Sequence, residues 1–278
     1  MIKESLYREI VALALEEDLG TAGDLTTDST ITPDSEVAGE IRTRRAGAIA
    51  GLEVARYVFE TFDDTLVYDA QVQDGDRVEA SRVLATIAGN ARSVLSAERT
   101  ALNFLARMSG VATQTALLVD AVEGTGVKIA DTRKTMPGMR ALDKYAVRMG
   151  GGMNHRFGLH DAVMIKDNHI AAVGSITKAV EAVRARVGHT VTVEVEVESL
   201  KQLEEVLETD TDIVLLDNMA PVELAEAVRM VDGQMTTEAS GGVTLDTVRE
   251  IAETGVDVIS VGWITHSAPQ LDIGLDFV

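Results

Sequence analysis

Basic side chains that can bind an anion concentrate in one short part of an acidic chain. Residues 131–169 contain seven lysines or arginines and four acids, whereas the 278 residues together carry a formal charge of −20. A planar guanidinium binds a carboxylate or a phosphate through two parallel hydrogen bonds. The segment therefore predicts a pocket for a small ligand with several negative charges. Its candidate binding residues are Arg133, Lys134, His155, Arg156 and Lys166.

The positions of these residues favour a binding role. Arg133 and Lys134 follow the apolar segment 127–130, and Lys166 ends a second apolar segment, where a lysine among buried neighbours is costly unless it has a partner. Three glycines precede His155, and we expect them to let the backbone come close to a ligand. The alternative for any single cation is an ion pair with an acid on a solvated face.

Three histidines in the same segment, His155, His160 and His169, raise the alternative of a metal site. Their spacings of five and nine residues place Arg156 and Lys166 between them, and cations beside a metal ion are unfavourable. We therefore expect His160 and His169 to be structural residues that hydrogen-bond the loop.

Carboxylates that suit a divalent cation lie in the next two apolar segments. In residues 190–199, valines alternate with Glu194, Glu196 and Glu198, so one face of a strand is apolar and the other is acidic. In a barrel the acidic face lines the interior, whereas at a sheet edge it faces solvent. Asp217 ends the following strand, with a helix cap as its alternative role. The pattern predicts that Glu196 and Asp217 can hold Mg²⁺, directly or through water.

Glycine turns follow the last two predicted strands. Ser240, Gly241 and Gly242 form the first turn, and Gly262 lies in the second. Backbone amides in glycine turns at helix N-termini bind phosphate, and α/β barrels commonly place such a site after their last two strands. The two turns together therefore predict a phosphate-binding site.

The elements that position these residues recur at a regular pitch. From residue 173 onward, helical patterns alternate with strands spaced by roughly 20 to 24 residues, which is typical of βαβ units and a parallel sheet. Two earlier strands bring the number to about six. The pattern predicts a full or incomplete α/β barrel, in which functional groups cluster at the C-terminal strand ends. The predicted strands are 127–131, 162–167, 190–197, 212–217, 234–239 and 256–262.

The first third of the chain has a different pattern. Residues 24–92 contain short strands, a turn at residues 74–77 and a helix over residues 53–62, which together predict a smaller α+β module. A helix over residues 93–110 is predicted to connect the two modules. An amphipathic helix, rather than a signal peptide, is predicted for residues 1–20.

Composition excludes several classes of chemistry. The chain has no cysteine, which excludes disulfides, thiolate nucleophiles and cysteine-ligated metal centres. The charge of −20 disfavours nucleic acid and anionic membranes as partners, and no apolar run reaches the ~18 residues that span a bilayer. We expect a cytoplasmic protein whose acidic, lysine-poor surface suits high salt.

The stretches SAERTALNFLARMSGVAT, DTRKTMPGMRALDKYAVRMGGGMNHRFGLHDAVMIKDNH, VLLDNM and EASGGV are highly specific. Through them the chain resembles the quinolinate phosphoribosyltransferase family over essentially its full length. The resemblance implies an incomplete parallel α/β barrel at residues 109–278 and a smaller N-terminal α/β sandwich module at residues 1–108. The first helix and the C-terminal tail are expected to straddle the boundary.

The resemblance also implies roles for the site residues. The ligands of the two quinolinate carboxylates would be Arg133, His155, Arg156 and Lys166, together with Arg99 from the partner subunit of a homodimer. The catalytic residues that serve the pyrophosphate-bearing substrate, its ribose and Mg²⁺ would be Lys134, Glu196 and Asp217. The residues of the 5-phosphate loops would be Ser240, Gly241, Gly242, Gly262 and His266.

The implied reaction joins quinolinate to phosphoribosyl pyrophosphate, giving nicotinate mononucleotide, pyrophosphate and CO₂ in NAD biosynthesis. Two alternatives stay open. One is a related phosphoribosyltransferase that uses another anionic ring as acceptor. The other is a non-catalytic barrel that senses a phosphorylated metabolite, in which Glu196 and Asp217 would have no function.

Overall fold

A computed structural model describes residues 2–278, which form two compact units built from separated stretches of the chain. The first unit contains the residues up to Ala116, together with Thr135–Gly151 and Ile264–Val278. The second contains Leu117–Lys134 and Gly152–Trp263. The prediction gave one domain boundary, between residues 108 and 109, whereas these units alternate along the chain. The C-terminal tail belongs with the first unit.

The first unit is built on a small antiparallel sheet. Four strands lie in the order β12-β1-β5-β3, and β2 pairs with β4. The strands are β1 (Glu36–Thr43), β2 (Gly47–Ala48), β3 (Val67–Ala70), β4 (Arg77–Val78), β5 (Val83–Asn90) and β12 (Ile273–Phe277). The helices are a 3₁₀ turn (Glu4–Leu6), α1 (Arg8–Leu19), α2 (Leu25–Thr30), α3 (Leu52–Phe62), the long α4 (Ala91–Ala121) and α5 (Arg140–Met149). This confirms the predicted α+β character of the module.

The predicted connecting helix is longer than its pattern indicated. The prediction ended it at Gly110, but α4 continues for a further eleven residues, to Ala121. A β-carbon at Gly110 would overlap the backbone oxygen of Pro269 and lie 3.0 Å from Cα of Gln270. Gly110 therefore permits close packing of the C-terminal segment against the helix and does not end it.

The second unit carries six strands and five short helices along its part of the chain. The strands are β6 (Lys128–Ala130), β7 (Val163–Ile165), β8 (Val193–Val197), β9 (Ile213–Asp217), β10 (Thr236–Ser240) and β11 (Val258–Ser260). The helices are α6 (Asp167–Val173), α7 (Ile176–Arg184), α8 (Leu200–Leu207), α9 (Pro221–Val231) and α10 (Val248–Ala252), and α11 (Trp263–His266) crosses into the first unit. All six strands overlap the predicted ones.

These strands form one parallel sheet in the order β6-β11-β10-β9-β8-β7. Strands β7 to β11 are neighbours in chain order, and β6, the first, pairs with β11, the last. This is the strand order of a barrel in which the pair β6–β7 is missing. The second unit is therefore an incomplete parallel α/β barrel and the first is a smaller α/β module, as the sequence predicted.

The segment that follows the three glycines lies along the other edge of β6. The backbone N–H of Met153 donates to the oxygen of Ile129 at 2.8 Å, and Asp131 N–H donates to the oxygen of Met153 at 3.2 Å. Ala130 and Met153 form a parallel bridge. This segment thus satisfies backbone groups of β6 that a seventh strand would otherwise pair.

No helix within residues 2–278 is long and apolar enough to cross a membrane. The predicted cytoplasmic location stays a prediction.

The first of the three glycines, Gly150, is required for packing against α4. A β-carbon at Gly150 would overlap the carbonyl oxygen of Ala112 on α4 and lie 2.6 Å from Cβ of Thr115. We therefore expect Gly150→Ala to lower the free energy of unfolding by about 1–3 kcal/mol, as overpacking does. Urea denaturation measures the change.

The matched control is Gly188→Ala, since a β-carbon there would meet no atom within 4 Å. It is expected to change the free energy of unfolding by no more than about 0.5 kcal/mol. Equal losses in the two variants would contradict the assigned packing of Gly150.

Candidate active site

A cavity of about 380 Å³ opens at the C-terminal ends of the parallel strands. All of its lining residues belong to the second unit. They are Thr132, Arg133, Lys134, His155, Arg156, Met164, Lys166, Glu196, Leu215, Asp217, Glu238, Ser240 and Ser260. Eight residues predicted from the sequence are therefore brought together in one place. These are Arg133, Lys134, His155, Arg156, Lys166, Glu196, Asp217 and Ser240.

Strand register sets the lining in two layers. In the first layer, Glu196 of β8 pairs with Leu215 of β9, which pairs with Glu238 of β10. One pleat further toward the strand ends, Asp217 pairs with Ser240. Because side chains alternate between the two faces of a strand, residues two apart point into the same interior. The predicted inward orientation of Glu196 is confirmed, and Val193, Val195 and Val197 form the buried opposite face.

A positively charged wall comes from the ends of β6 and β7 and from the segment after Met153. Arg156 donates from Nη1 to the oxygen of Ala162 at 3.0 Å, and its buried Nε has no hydrogen-bond partner within residues 2–278. Burial and the neighbouring guanidinium of Arg133 lower the pKa of Arg156. Two guanidiniums held close together in partial burial favour an anionic ligand.

Lys166 forms an ion pair with Glu196, its neighbour on the adjoining strand. Burial, followed by the negative charge of Glu196, raises the pKa of Asp217. Asn218 donates from Nδ2 to Oδ2 of Asp217 at 2.6 Å. The carboxylate oxygens of Glu196 and Asp217, which line the same cavity, form a donor set that suits a divalent cation.

Sequence reasoning missed a cluster of buried ionisable side chains inside the incomplete barrel, formed by His155, Glu194 and Glu238. Nε2 of His155 lies 2.9 Å from Oε2 of Glu194 and 3.7 Å from Oε1 of Glu238. The two glutamates are only 3% and 4% exposed. Burial, followed by the charge of Glu194, raises the pKa of Glu238 to about 7. The alternation of residues 190–199 signalled Glu194, but no short-range pattern distinguishes Glu238.

The loop before the positively charged wall is held by Asp131, which is fully buried. Its Oδ1 accepts from the backbone N–H of His155 at 2.9 Å, and its Oδ2 accepts from Nδ2 of Asn154 at 2.7 Å.

His169 accepts at Nδ1 from the backbone N–H of Lys166 at 2.9 Å. His169 therefore has the predicted structural contact, and His160 packs edge-on against Phe157.

The first glycine turn is tightly constrained. Gly241 has φ +95°, and a β-carbon there would overlap Oδ1 of Asn218. The backbone N–H of Asn218 donates to the oxygen of Ser240 at 2.9 Å, which joins the ends of β9 and β10. Trp263, directly after Gly262, donates from Nε1 to the oxygen of Val243 at 2.9 Å and so links the two predicted phosphate turns.

The remaining predicted residues do not line the cavity. Gly241, Gly242 and Gly262 lie in the turns just described, within the second unit. Arg99 is an exposed residue of α4 in the first unit, and the exposed His266 also belongs to the first unit. The roles predicted for these five residues stay predictions.

Comparison with protein families identifies both modules. Residues 24–109 match the quinolinate phosphoribosyl transferase N-terminal domain, and residues 111–276 match the quinolinate phosphoribosyl transferase C-terminal domain. The fold and the cavity agree with this assignment, because most of the charged residues by which the sequence resembled the family converge in a single site. The chain belongs to the quinolinate phosphoribosyltransferase family.

Individual relatives are similar along nearly the whole chain. The nicotinate-nucleotide pyrophosphorylase [carboxylating] of Mycobacterium leprae is 46% identical over 274 residues, which cover 97% of this chain and 96% of that one. A probable nicotinate-nucleotide pyrophosphorylase [carboxylating] of Bacillus subtilis is 43% identical, with coverage of 94% and 89%. The crystal structure of nicotinate-nucleotide pyrophosphorylase from Ehrlichia chaffeensis superimposes with a TM-score of 0.94 at 42% identity, covering 98% of each chain.

Replacement of Glu238 by glutamine should change how stability depends on pH. The pKa of Glu238 is raised from 4.5 to about 7, so between these values the folded protein binds a proton that the unfolded chain does not. The contribution of Glu238 to the free energy of unfolding therefore falls as the pH rises toward 7. Relative to the wild type, Glu238→Gln should gain stability over this range and level off above it.

Urea denaturation at several pH values tests this expectation. Glu250→Gln, on the exposed surface of α10, removes a carboxylate of the same type and serves as the control. The free energies of unfolding of Glu238→Gln and Glu250→Gln could instead depend on pH in the same way. That result would show that the pKa of Glu238 is not raised in the folded protein.

Proposed function

We propose that the chain transfers the phosphoribosyl group of phosphoribosyl pyrophosphate to quinolinate, with loss of CO₂. The products are nicotinate mononucleotide, pyrophosphate and CO₂, in a step of NAD biosynthesis. One observation carries the proposal: a single cavity combines Arg133, Arg156 and Lys166 with Glu196 and Asp217. Such a cavity can accept a dicarboxylate and also stabilise a developing cation.

The basic residues serve to bind and orient the acceptor. Quinolinate carries two adjacent carboxylates, and two guanidiniums with an ammonium supply three cationic groups that can bind them. The buried Nε of Arg156 gains a partner when a carboxylate binds, which removes the cost of an unsatisfied buried donor. An acceptor fixed in this way presents its ring nitrogen in one orientation to the sugar.

The acidic residues stabilise the charge that develops on the sugar. When the bond from the anomeric carbon to pyrophosphate breaks, positive charge develops on the ribose ring, and the Glu196 and Asp217 carboxylates stabilise it. The pyridine nitrogen then forms a bond to the anomeric carbon. Backbone amides in the turns at Gly241–Gly242 and Gly262 suit the 5-phosphate, which holds the sugar beside these carboxylates.

Decarboxylation follows from the charge produced by the transfer. The alkylated ring nitrogen is positive, and it stabilises the electron pair that remains on the neighbouring ring carbon when CO₂ leaves. A proton then replaces the carboxyl group at that carbon. The basic wall holds the second carboxylate and keeps the ring in place during this step.

Glu196 and Asp217 fit Mg²⁺, since Mg²⁺ prefers oxygen ligands. Burial and the charge of Glu196 raise the pKa of Asp217, and a bound cation would offset this effect. When bound, Mg²⁺ would neutralise charge on the pyrophosphate leaving group. Lys134, which lines the same cavity, is proposed to contact the pyrophosphate.

We further propose that the enzyme is a homodimer in which Arg99 of one subunit completes the site of the other. Arg99 is exposed on α4, which leaves its guanidinium available to a neighbouring subunit. An additional cation from the partner would strengthen the binding of a doubly charged acceptor.

The acceptor preference tests the reaction. With phosphoribosyl pyrophosphate and Mg²⁺, quinolinate is expected to release CO₂ and pyrophosphate in equal amounts. Nicotinate has one carboxylate and is expected not to react. Arg156→Gln should raise the KM for quinolinate by roughly tenfold to a hundredfold, because a hydrogen bond to a charged group is lost. Product chromatography and pyrophosphate release measure these rates.

Arg229→Gln is the control, since Arg229 is exposed on α9 and does not line the cavity. It should leave both KM values unchanged. Equal turnover of nicotinate would instead favour a phosphoribosyltransferase with a different acceptor. Binding of both substrates without pyrophosphate release would favour a non-catalytic role.

The shared site predicts complementation between inactive variants. Arg99→Ala and Lys166→Ala homodimers should each have little activity. A mixed dimer contains one site that lacks both residues and one that is intact, so refolding the two together is expected to restore up to about half of the wild-type activity per mixed dimer. Native mass spectrometry verifies the mixed species. Verified mixed dimers without activity would show that Arg99 acts within its own chain.

A further inference from the structure

Asn218, the residue directly after Asp217, has a backbone conformation that few residues other than glycine adopt. Its φ is +56°, in the left-handed region, where a β-carbon crowds the backbone. Asn218 is exposed and lies just beyond the end of β9, so burial of its side chain does not stabilise the fold. Such conformations cluster at functional sites, where the surrounding contacts hold them.

The contacts of Asn218 join the ends of two neighbouring strands. Its Nδ2 donates to Oδ2 of Asp217 at 2.6 Å, which fixes that carboxylate through one of its oxygens. Its backbone N–H donates to the oxygen of Ser240 at 2.9 Å, which extends the pairing of β9 with β10 by one residue. Asp217 and Ser240 both line the cavity. Asn218 therefore holds both sides of this part of the cavity.

The amide of Asn218 also occupies the space beside the first glycine turn. Its nitrogen is used by the carboxylate of Asp217, and its oxygen is directed at Gly241. A β-carbon at Gly241 would overlap this Oδ1 and lie 2.6 Å from Cγ of Asn218. Gly241 and Gly242 have φ +95° and +62°. A shift of this turn toward β9 would therefore displace the amide from Asp217.

We propose that Asn218 is a positioning residue that holds the Asp217 carboxylate and the Gly241–Gly242 turn at a fixed separation. Under the proposed function, on which this inference rests, the carboxylate faces the ribose and the turn binds the 5-phosphate. Covalent bonds limit the distance between the ribose hydroxyls and the 5-phosphate. A sugar phosphate therefore binds well only where both protein groups keep their separation.

The alternative role for Asn218 is that of a turn residue that only tolerates a positive φ. Asparagine is one of the few residues that do so routinely. Glycine adopts the same conformation with less strain. The alternative therefore predicts that Asn218→Gly binds substrates as the wild type does, whereas a positioning role predicts weaker binding of the sugar phosphate.

The first experiment measures binding and needs no turnover. The probe is ribose 5-phosphate, titrated into the protein in a calorimeter. Asn218→Gly should raise its dissociation constant by roughly tenfold, because a hydrogen bond to a charged group is lost. The dissociation constant of quinolinate should stay unchanged, since the basic wall does not contact Asn218.

A second variant separates the hydrogen bond from the space that the side chain fills. Asn218→Asp retains an oxygen near Gly241 and a residue that tolerates a positive φ, but it cannot donate to the carboxylate of Asp217. It should weaken the binding of ribose 5-phosphate at least as much as Asn218→Gly does.

Asp232→Gly is the matched control. Asp232 is the exposed residue after α9, has φ +44° and does not line the cavity. Asp232→Gly and Asn218→Gly both remove a polar side chain at a left-handed position, so they have similar effects on backbone strain and on the unfolded chain. Asp232→Gly should leave both dissociation constants unchanged.

The second experiment tests the contact with the turn through stability. In the wild type, Gly241→Ala forces a β-carbon against the amide of Asn218, whereas in Asn218→Gly only the backbone nitrogen remains, at 3.0 Å. The strain from the positive φ of Gly241 is the same in both backgrounds. Unfolding equilibrium constants from urea denaturation should therefore depart from additivity by about twofold or more, as for residues in contact.

Steady-state kinetics connect the contact to the reaction. Asn218→Gly should raise the KM for phosphoribosyl pyrophosphate by about tenfold and leave the KM for quinolinate unchanged. It should also lower kcat, because a carboxylate of Asp217 that is free to turn stabilises the developing positive charge less well. Loss of fold alone would reduce activity without this division between the two KM values.

Several outcomes would overturn the inference. Binding of ribose 5-phosphate by Asn218→Gly as tightly as by the wild type would make Asn218 a turn residue only. Wild-type binding by Asn218→Asp would show that the hydrogen bond to Asp217 is not needed, and this variant decides the question if Asn218→Gly does not fold. Strict additivity with Gly241→Ala would refute the contact with the turn. A wild type that binds ribose 5-phosphate but releases no CO₂ would refute the proposed function and leave the positioning role to these binding and stability measurements.

Discussion

Ionisable side chains inside the incomplete barrel must compensate one another, because the interior does not hydrate them. Glu194 and Glu238 are almost completely buried, and both face Nε2 of His155. Nearer the strand ends, Lys166 pairs with Glu196. In surroundings of low dielectric, an unpaired charge costs far more than at the surface. The positions of the side chains that line the cavity therefore depend on this network of pairs as much as on the backbone that carries them.

Parallel strands in register make such a network possible. Glu196, Leu215 and Glu238 lie side by side on three neighbouring strands, and Asp217 lies beside Ser240 one pleat further along. Each of the strands β7 to β11 contributes only one or two residues to the cavity, from its middle or its C-terminal end. The gap between β6 and β7 is edged by the segment around Met153, which delivers His155 and Arg156 to the site without a strand of its own.

Much of the site followed from residue types and their spacing. Arg133, Lys134 and Lys166 follow short apolar segments, and the alternation of residues 190–199 predicted that Glu196 faces the interior. Glu238 was missed because its local sequence, TTEAS, has no distinguishing pattern, and its importance arises from residues more than forty positions away. The glycines before His155 suggested approach to a ligand, yet Gly150 is needed for packing against α4. A glycine in a sequence indicates that there is little space for a side chain at that position. It does not show which neighbouring atoms fill that space.

The sequence by itself determined the alternation of helices and strands, an α/β barrel, full or incomplete, with its smaller module, and the segments that supply the basic and acidic side chains of the cavity. These properties depend on local periodicity and on residue chemistry, which are present in short stretches. Only the tertiary structure decided which buried acids meet His155, that α4 continues past Gly110, and that Thr135–Gly151 belongs with the first unit. Those features depend on distances between residues far apart in the chain, and the packing of the folded backbone alone sets such distances.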